Sequence, residues 1–116
     1  MATIYMAVMG KNGLINAANQ SISKAQYAVK AFRKAGIKPC FDGPFFNEFV
    51  VDLGADTTVI YETLAKQNIL CGLPLKDHGK SVGLSHPEHK LLICVTEKRT
   101  KAEIDSLVQA IVKAVK

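Results

Sequence analysis

Apolar residues recur along this chain at two spacings, and the switches between them mark out its elements. Ile4, Tyr5, Val8 and Met9 make an apolar helical patch that stops at Gly10 and has no capping residue ahead of it, as if it continued a longer segment. Beyond Asn12, an N-cap residue type, Leu14, Ala18, Ile22, Ala25, Val29 and Phe32 follow at steps of three and four. That spacing predicts one buried helical stripe, ended by Gly36.

The period then shortens. Ile37 to Phe41 reads as a short strand, Gly43-Pro44 as a turn, and Phe45 to Leu53 as a longer strand with Phe45, Phe49, Val51 and Leu53 on one face. The two strands are expected to be antiparallel neighbours. Gly54 to Asp56 breaks the pattern, and Asp56 or Thr57 caps a helix that carries Val59, Ile60 and Leu64 toward the core until about Asn68. Ile69 to Cys71 predicts another short strand, followed by a long loop from Gly72 to Lys90. Leu91 to Val95 is apolar throughout, as in a buried strand. Thr100 with Glu103 then forms a capping box for a helix that packs Ile104, Leu107, Val108, Ile111 and Val115.

This order (helix, two strands, helix, two strands, helix) predicts an α+β fold in which a small antiparallel or mixed sheet carries helices on one face. A ferredoxin-like split unit is the alternative. Residues 1–36 are expected to be helical and residues 37–116 to hold the sheet and the other helices, all within one domain. A length of 116 residues suits that expectation, and 48% hydrophobic content is ordinary for a globular protein.

Composition narrows the function classes. No run reaches the roughly 18 apolar residues of a membrane span. The opening MATIYMAVMG lacks the basic region and cleavage site of a secretory signal, so the expected location is cytoplasmic. The formal charge of +5 comes from lysines spread over the chain rather than gathered in a block. With no aromatic RNA-binding motif, zinc-finger spacing or arginine-rich arm, the charge reads as solvated surface and not as a nucleic-acid footprint. Cys40, Cys71 and Cys94 are odd in number and lie in or beside predicted strands, so they are expected to be reduced and buried. A nucleophilic thiolate would need a neighbouring base or cation that no motif supplies.

Two runs go further. FDGPFFNEFV, Phe41 to Val50, opens on a Gly-Pro turn and interrupts an aromatic stretch with Asn47-Glu48, which strand chemistry does not require. LLICVTEKRTKAEIDSLV, Leu91 to Val108, passes from a continuous apolar strand through Thr96-Glu97 and Arg99-Thr100 into a strongly amphipathic helix. Together they resemble the glycine-cleavage P-protein family, specifically its subunit without the cofactor-bearing lysine, from about Ile4 onward. The resemblance covers about the carboxy-terminal quarter of such a subunit. It implies the small carboxy-terminal domain of a fold-type I pyridoxal-phosphate enzyme, within a glycine-decarboxylating oxidoreductase of glycine catabolism. It also implies pyridoxal phosphate held by the partner subunit and none here, with a lysine-bearing subunit 2 and the lipoyl H-protein as partners. In such an enzyme the aminomethyl group left by decarboxylation passes to H-protein, and this piece alone is expected to be inactive. An exposed amino-terminal patch would let it self-associate. The other classes are a free-standing ferredoxin-like binding module and the small domain of another aminotransferase-like enzyme.

Candidate chemistry is sparse. His78, His86 and His89, with Asp77 and Glu88, offer metal-ligand types, but His86-x-x-His89 straddles Pro87 in a predicted mobile loop without cysteine partners, so no metal is expected. His89-Lys90 invites comparison with the His-Lys pair that carries the cofactor in pyridoxal-phosphate decarboxylases, but the phosphate cradle and pyridine-nitrogen acid are lacking, and Lys90 is expected to be a polar lead into its strand. Asn47 and Glu48 should fall on opposite strand faces. The resemblance puts them at an interdomain or intersubunit surface. Glu97 and Arg99, between the last strand and the helix cap, complete the candidate contacts, since a carboxylate there can accept from helix amides and an arginine can hold a carboxylate. No catalytic residue is expected.

Overall fold

The computed structural model describes residues 1–116. Helix α1 spans Ala2–Lys34, strand β1 Glu48–Asp52, helix α2 Thr57–Ala65, strand β2 Leu73–Pro74, strand β3 Lys90–Cys94 and helix α3 Lys101–Val115. Two short 3₁₀ turns, Gly79–Val82 and Pro87–His89, interrupt the segment between β2 and β3. The three strands form one antiparallel sheet in the order β1-β3-β2, so the antiparallel form of the expected α+β fold is the one present.

Local chemistry sets the helix ends. At Gly10 the backbone takes φ 66°, ψ 178°, a conformation open to glycine, and α1 kinks there and resumes at once, so Asn12 lies within the helix and does not cap a separate one as expected. Leaving α1, Ile37 N–H donates to Phe32 C=O at 2.9 Å and Gly36 N–H to Arg33 C=O at 3.0 Å, with Gly36 at φ 85°. This is the paired Schellman arrangement, and its apolar members, Phe32 and Ile37, are both buried. α2 ends the same way: Ile69 N–H reaches Leu64 C=O at 3.0 Å, Asn68 N–H reaches Ala65 C=O at 2.9 Å, and Asn68 sits at φ 60°. Asp56 caps the start of α2 by accepting from Thr58 N–H at 2.9 Å. Thr100 and Glu103 close the expected capping box, with Thr100 Oγ1 accepting from Glu103 N–H at 3.2 Å and Glu103 Oε2 from Thr100 N–H at 2.8 Å.

Alternation along β1 and β3 builds the core. Phe49 pairs with Ile93 and Val51 with Leu91, so all four side chains leave the same face. They are buried against Ala25, Ala28, Val29 and Phe32 of α1, Ile60 and Leu64 of α2, and Ile104, Val108 and Ile111 of α3. Phe32 meets Phe49 edge to face with ring centroids 6.1 Å apart. The opposite face is thinly covered: Val50 and Leu92 are half-buried, Leu73 and Phe46 exposed.

Several expectations are corrected. Ile37 to Phe41 forms no strand. Only Pro39 bridges Val51, because proline brings no N–H to a ladder, although Cys40 N–H still donates to Val50 C=O at 2.8 Å. Strand β1 begins at Glu48 rather than Phe45. Ile69 to Cys71 is not a strand either, since the exit from α2 consumes Ile69, and the pairing falls to Leu73 and Pro74 inside the predicted loop. Val59 faces solvent, as does Ile22. The stripe on α1 is buried only from Ser21 onward, because the helix runs past the sheet before that point.

That overhanging arm shows in the dimensions. The radius of gyration is 15.3 Å, against about 13 Å for a compact chain of this length. The accessible surface of 7651 Å² exceeds, by roughly 1,400 Å², the area expected of a compact monomer of 12.6 kDa.

Cross-strand partners Asp52 and Lys90 form the one ion pair with a buried member. The Lys90 side chain is 10% exposed, that of Asp52 43%, and Lys90 Nζ donates to Asp52 Oδ2. Partial burial pushes the Asp52 carboxyl up, but hydrogen bonds from Lys90 and from Gly54 N–H outweigh this and hold it below its ordinary value. Replacing Asp52 with Ala strands a buried ammonium and should cost about 2 kcal/mol, whereas Lys90→Met leaves a carboxylate that water can reach and should cost under about 1 kcal/mol. A carboxyl with a depressed folded-state pKa stabilises fully above its unfolded pKa of about 4. The gap between wild type and Asp52→Ala in urea melts should therefore close as pH falls through the lower folded value.

Candidate functional site

The edge of β3 that faces β2 is only partly used. Gly72, at φ 149°, turns the chain away just before β2, and a Cβ there would lie 2.4 Å from the Leu92 carbonyl oxygen, so only glycine fits. Beyond this point Cys94 has no strand opposite it on that side. The result is an apolar groove of ≈ 760 Å³ between the exit of α2, the end of β3 and the first half of α3. Leu70, Leu73, Leu92, Cys94 and Leu107 supply its apolar walls, and Glu48 and Arg99 stand among its polar residues.

Of the four candidate contacts, then, the fold brings Glu48 and Arg99 to one groove and leaves the other two outside it. Arg99 lies 3.7 Å from Glu103 one helical turn on, with both side chains about half exposed, a geometry worth little in stability. Asn47 precedes β1, and its carbonyl accepts from Val95 N–H at 2.8 Å. Glu97 is turned the other way, onto α1. Ser21 Oγ donates to Glu97 Oε2 at 3.2 Å and accepts from Glu97 N–H at 3.1 Å, while Lys24 Nζ donates to the Glu97 carbonyl. Further along the same seam Tyr27 donates to Asp105 at 2.6 Å and Lys101 pairs with Asp105 at 2.9 Å. The tyrosine hydroxyl first, and Lys101 after it, hold the Asp105 carboxyl low.

The cysteines are free, but Cys94 is exposed where burial was expected, because it alternates onto the open face of β3. Burial raises the thiol pKa values of Cys40 and Cys71; desolvation and then Glu48 raise that of Cys94. None is an activated nucleophile.

The histidines divide unexpectedly. His86, Glu88 and His89 converge, with their potential ligand atoms all within 4.8 Å of one another, while His78 and Asp77 stay apart from them. Loop spacing hides this, because His86 takes a left-handed conformation and Pro87–His89 turns back beneath it, with His89 N–H bonded to His86 C=O. The readable signal was the Pro between His86 and His89.

The family model of the glycine cleavage system P-protein matches residues 1–111. The chain belongs to the glycine cleavage system P-protein family. Among its relatives, the probable glycine dehydrogenase (decarboxylating) subunit 1 of Bacillus cytotoxicus is 46% identical over 108 residues, and that of Bacillus mycoides is 44% identical over 109. Each match takes in 92% of this chain and 23% of the relative, so the chain spans about a quarter of the length of the P-protein subunits it resembles. A crystal structure of glycine decarboxylase (P-protein) of the glycine cleavage system, in inhibitor-bound form, superposes with a TM-score of 0.79 at 24% identity over 96% of this chain and 24% of its own. The arm of α1 is thus part of the shared P-protein fold.

Ser21→Ala removes both hydrogen bonds to Glu97 and leaves its N–H without a partner. Its expected cost is about 1–2 kcal/mol in urea unfolding. Glu97→Gln keeps an acceptor and should lose less, and a Ser21→Ala loss below about 0.5 kcal/mol would show that these hydrogen bonds add little to stability.

Proposed function

We propose that this chain is part of subunit 1 of a two-subunit glycine dehydrogenase (decarboxylating), an oxidoreductase of the glycine cleavage system. The observation that carries the reading is the 43–46% identity to subunit 1 proteins over most of the chain. Within that enzyme residues 1–116 act as one cytoplasmic domain with a scaffolding and interface role. No helix here is long and apolar enough to cross a membrane.

Pyridoxal phosphate, which the parent reaction uses, does not fit the residues present. A cofactor lysine needs a free, desolvated amine beside a phosphate site. Lys90 is the one buried lysine, and its ammonium is taken by Asp52. The cofactor belongs in this proposal to the lysine-bearing subunit 2, and the lipoyl H-protein receives the aminomethyl group. This chain offers those partners two surfaces: the groove with Glu48 and Arg99, and the arm of α1. On the arm Ile4 is 65% exposed and Val8 80%, and Lys11 is the only charged side chain before Lys24. Apolar surface of that extent is rarely left wet.

Incubated with pyridoxal phosphate and desalted, the chain should retain no imine absorbance and release no carbon dioxide from glycine. A stoichiometric imine band abolished by Lys90→Ala would overturn the assignment of the cofactor to the partner. With a full-length lysine-bearing subunit the chain should form a complex that Ile4→Ser and Val8→Ser weaken. A subunit that ignores the chain at micromolar concentration would count against the whole reading.

In isolation the same arm should pair with itself. Sedimentation should give a mass that rises with concentration for wild type and less steeply for Ile4→Ser with Val8→Ser. A wild type that stays monomeric throughout would remove self-association from the proposal.

A further inference from the structure

We propose that His86, Glu88 and His89 form a binding site for a divalent transition-metal ion of the zinc type. Two imidazoles and a carboxylate are a ligand set that zinc accepts with a water in the fourth position. Tetrahedral bonds of about 2.0–2.2 Å place neighbouring ligand atoms roughly 3.3–3.5 Å apart. His86 Nδ1 already stands 3.4 Å from Glu88 Oε1, and all three ligand atoms lie within 4.8 Å. Side-chain rotation alone closes the rest. The His86 side chain is 74% exposed and that of Glu88 38%, so neither is locked by packing.

The backbone beneath them is held firmly, unlike that of a mobile loop. Pro87 is buried against Gly79, where an added Cβ would come within 2.5 Å of the proline ring. His89 N–H donates to His86 C=O at 3.0 Å, closing the turn. The Glu88 carbonyl accepts from Thr57 Oγ1 at 3.0 Å, and the His89 carbonyl accepts from Leu53 N–H at 2.9 Å. The turn is thus fastened to the start of α2, to the end of β1 and to the preceding 3₁₀ turn. His86 takes φ 47°, ψ 56°, which aims its ring across the proline, and the two imidazoles stack with centroids 5.7 Å apart and planes 12° from parallel. The nitrogen lone pairs lie in the ring planes, so binding requires the exposed His86 ring to turn about its side-chain bonds out of this stack and toward His89 and Glu88. None of the three side chains belongs to the core or to the groove, so the site is separate from the surfaces assigned above.

Calorimetric titration of the 116-residue chain with zinc sulfate, in a buffer that does not chelate, should give one saturable site of micromolar affinity. His86→Ala and His89→Ala should each weaken it at least about tenfold, as loss of one of three protein ligands requires. Glu88→Gln should weaken it less. His78→Ala and Cys94→Ser, which remove the remaining imidazole and the exposed thiol, should leave it unchanged. In the wild-type chain zinc should shift the ring nitrogen resonances of His86 and His89 and spare those of His78, a readout that needs no variant. Absence of saturable binding at millimolar zinc, binding that survives His86→Ala with His89→Ala, or binding lost with Cys94→Ser would each overturn the proposal.

Discussion

Leu91, Ile93 and Val95 reach the core only because β1 holds β3 in a register that sends alternate side chains to the helices. A slip of one residue would turn Leu92 and Cys94 inward and leave Leu91 and Ile93 wet. The same register sets Asp52 opposite Lys90, so a lysine whose side chain is 90% covered has a carboxylate within reach. Everything of chemical interest hangs from the two ends of β3. The histidine turn leads into it, and the Glu97 clasp and the wall of the groove lead out.

Polar groups at these ends work in two ways. Asp52, Glu97 and Asp105 each face a cation or hydroxyl on another element: Asp52 ties β1 to β3, while Glu97 and Asp105 tie the β3–α3 connection and α3 to α1. Glu48 and Arg99 have no such long-range partner and stay turned to the groove. The split follows position: Glu97 sits where α1 passes over the β3–α3 connection, Arg99 one turn further round.

What the sequence made legible was what local chemistry decides. Gly36, Asn68 and the Thr100–Glu103 box mark helix ends by conformations and hydrogen bonds within six residues, and each stands where it was read, while Gly10 marks a kink. The inward set of Phe49, Val51 and Leu53 followed from alternation alone. Contacts between distant segments were not legible. A two-residue strand such as β2 has no period to detect, and Leu73 pairs only because Gly72 can approach Leu92. Ile22 and Val59 fit helical stripes, yet face water because nothing packs beneath them. Of the candidate contacts, pattern could name Asn47, Glu48, Glu97 and Arg99 but not sort them, since sorting depends on which element crosses which. The convergence of His86 with His89 depends on the left-handed conformation of His86 and the turn that follows it, which spacing in a loop does not reveal.

The bridge from Pro39 to Val51 bears on how the sheet ends. A three-stranded sheet has two free margins, each a template on which a strand of another molecule could crystallise into a fibril. Here the segment beside β1 carries Pro39 and the outer strand β2 carries Pro74, so each margin has a residue with no N–H to offer. The prolines thus weigh against growth at these two margins, and leave helix surfaces and side chains as the surfaces a partner can use at least cost.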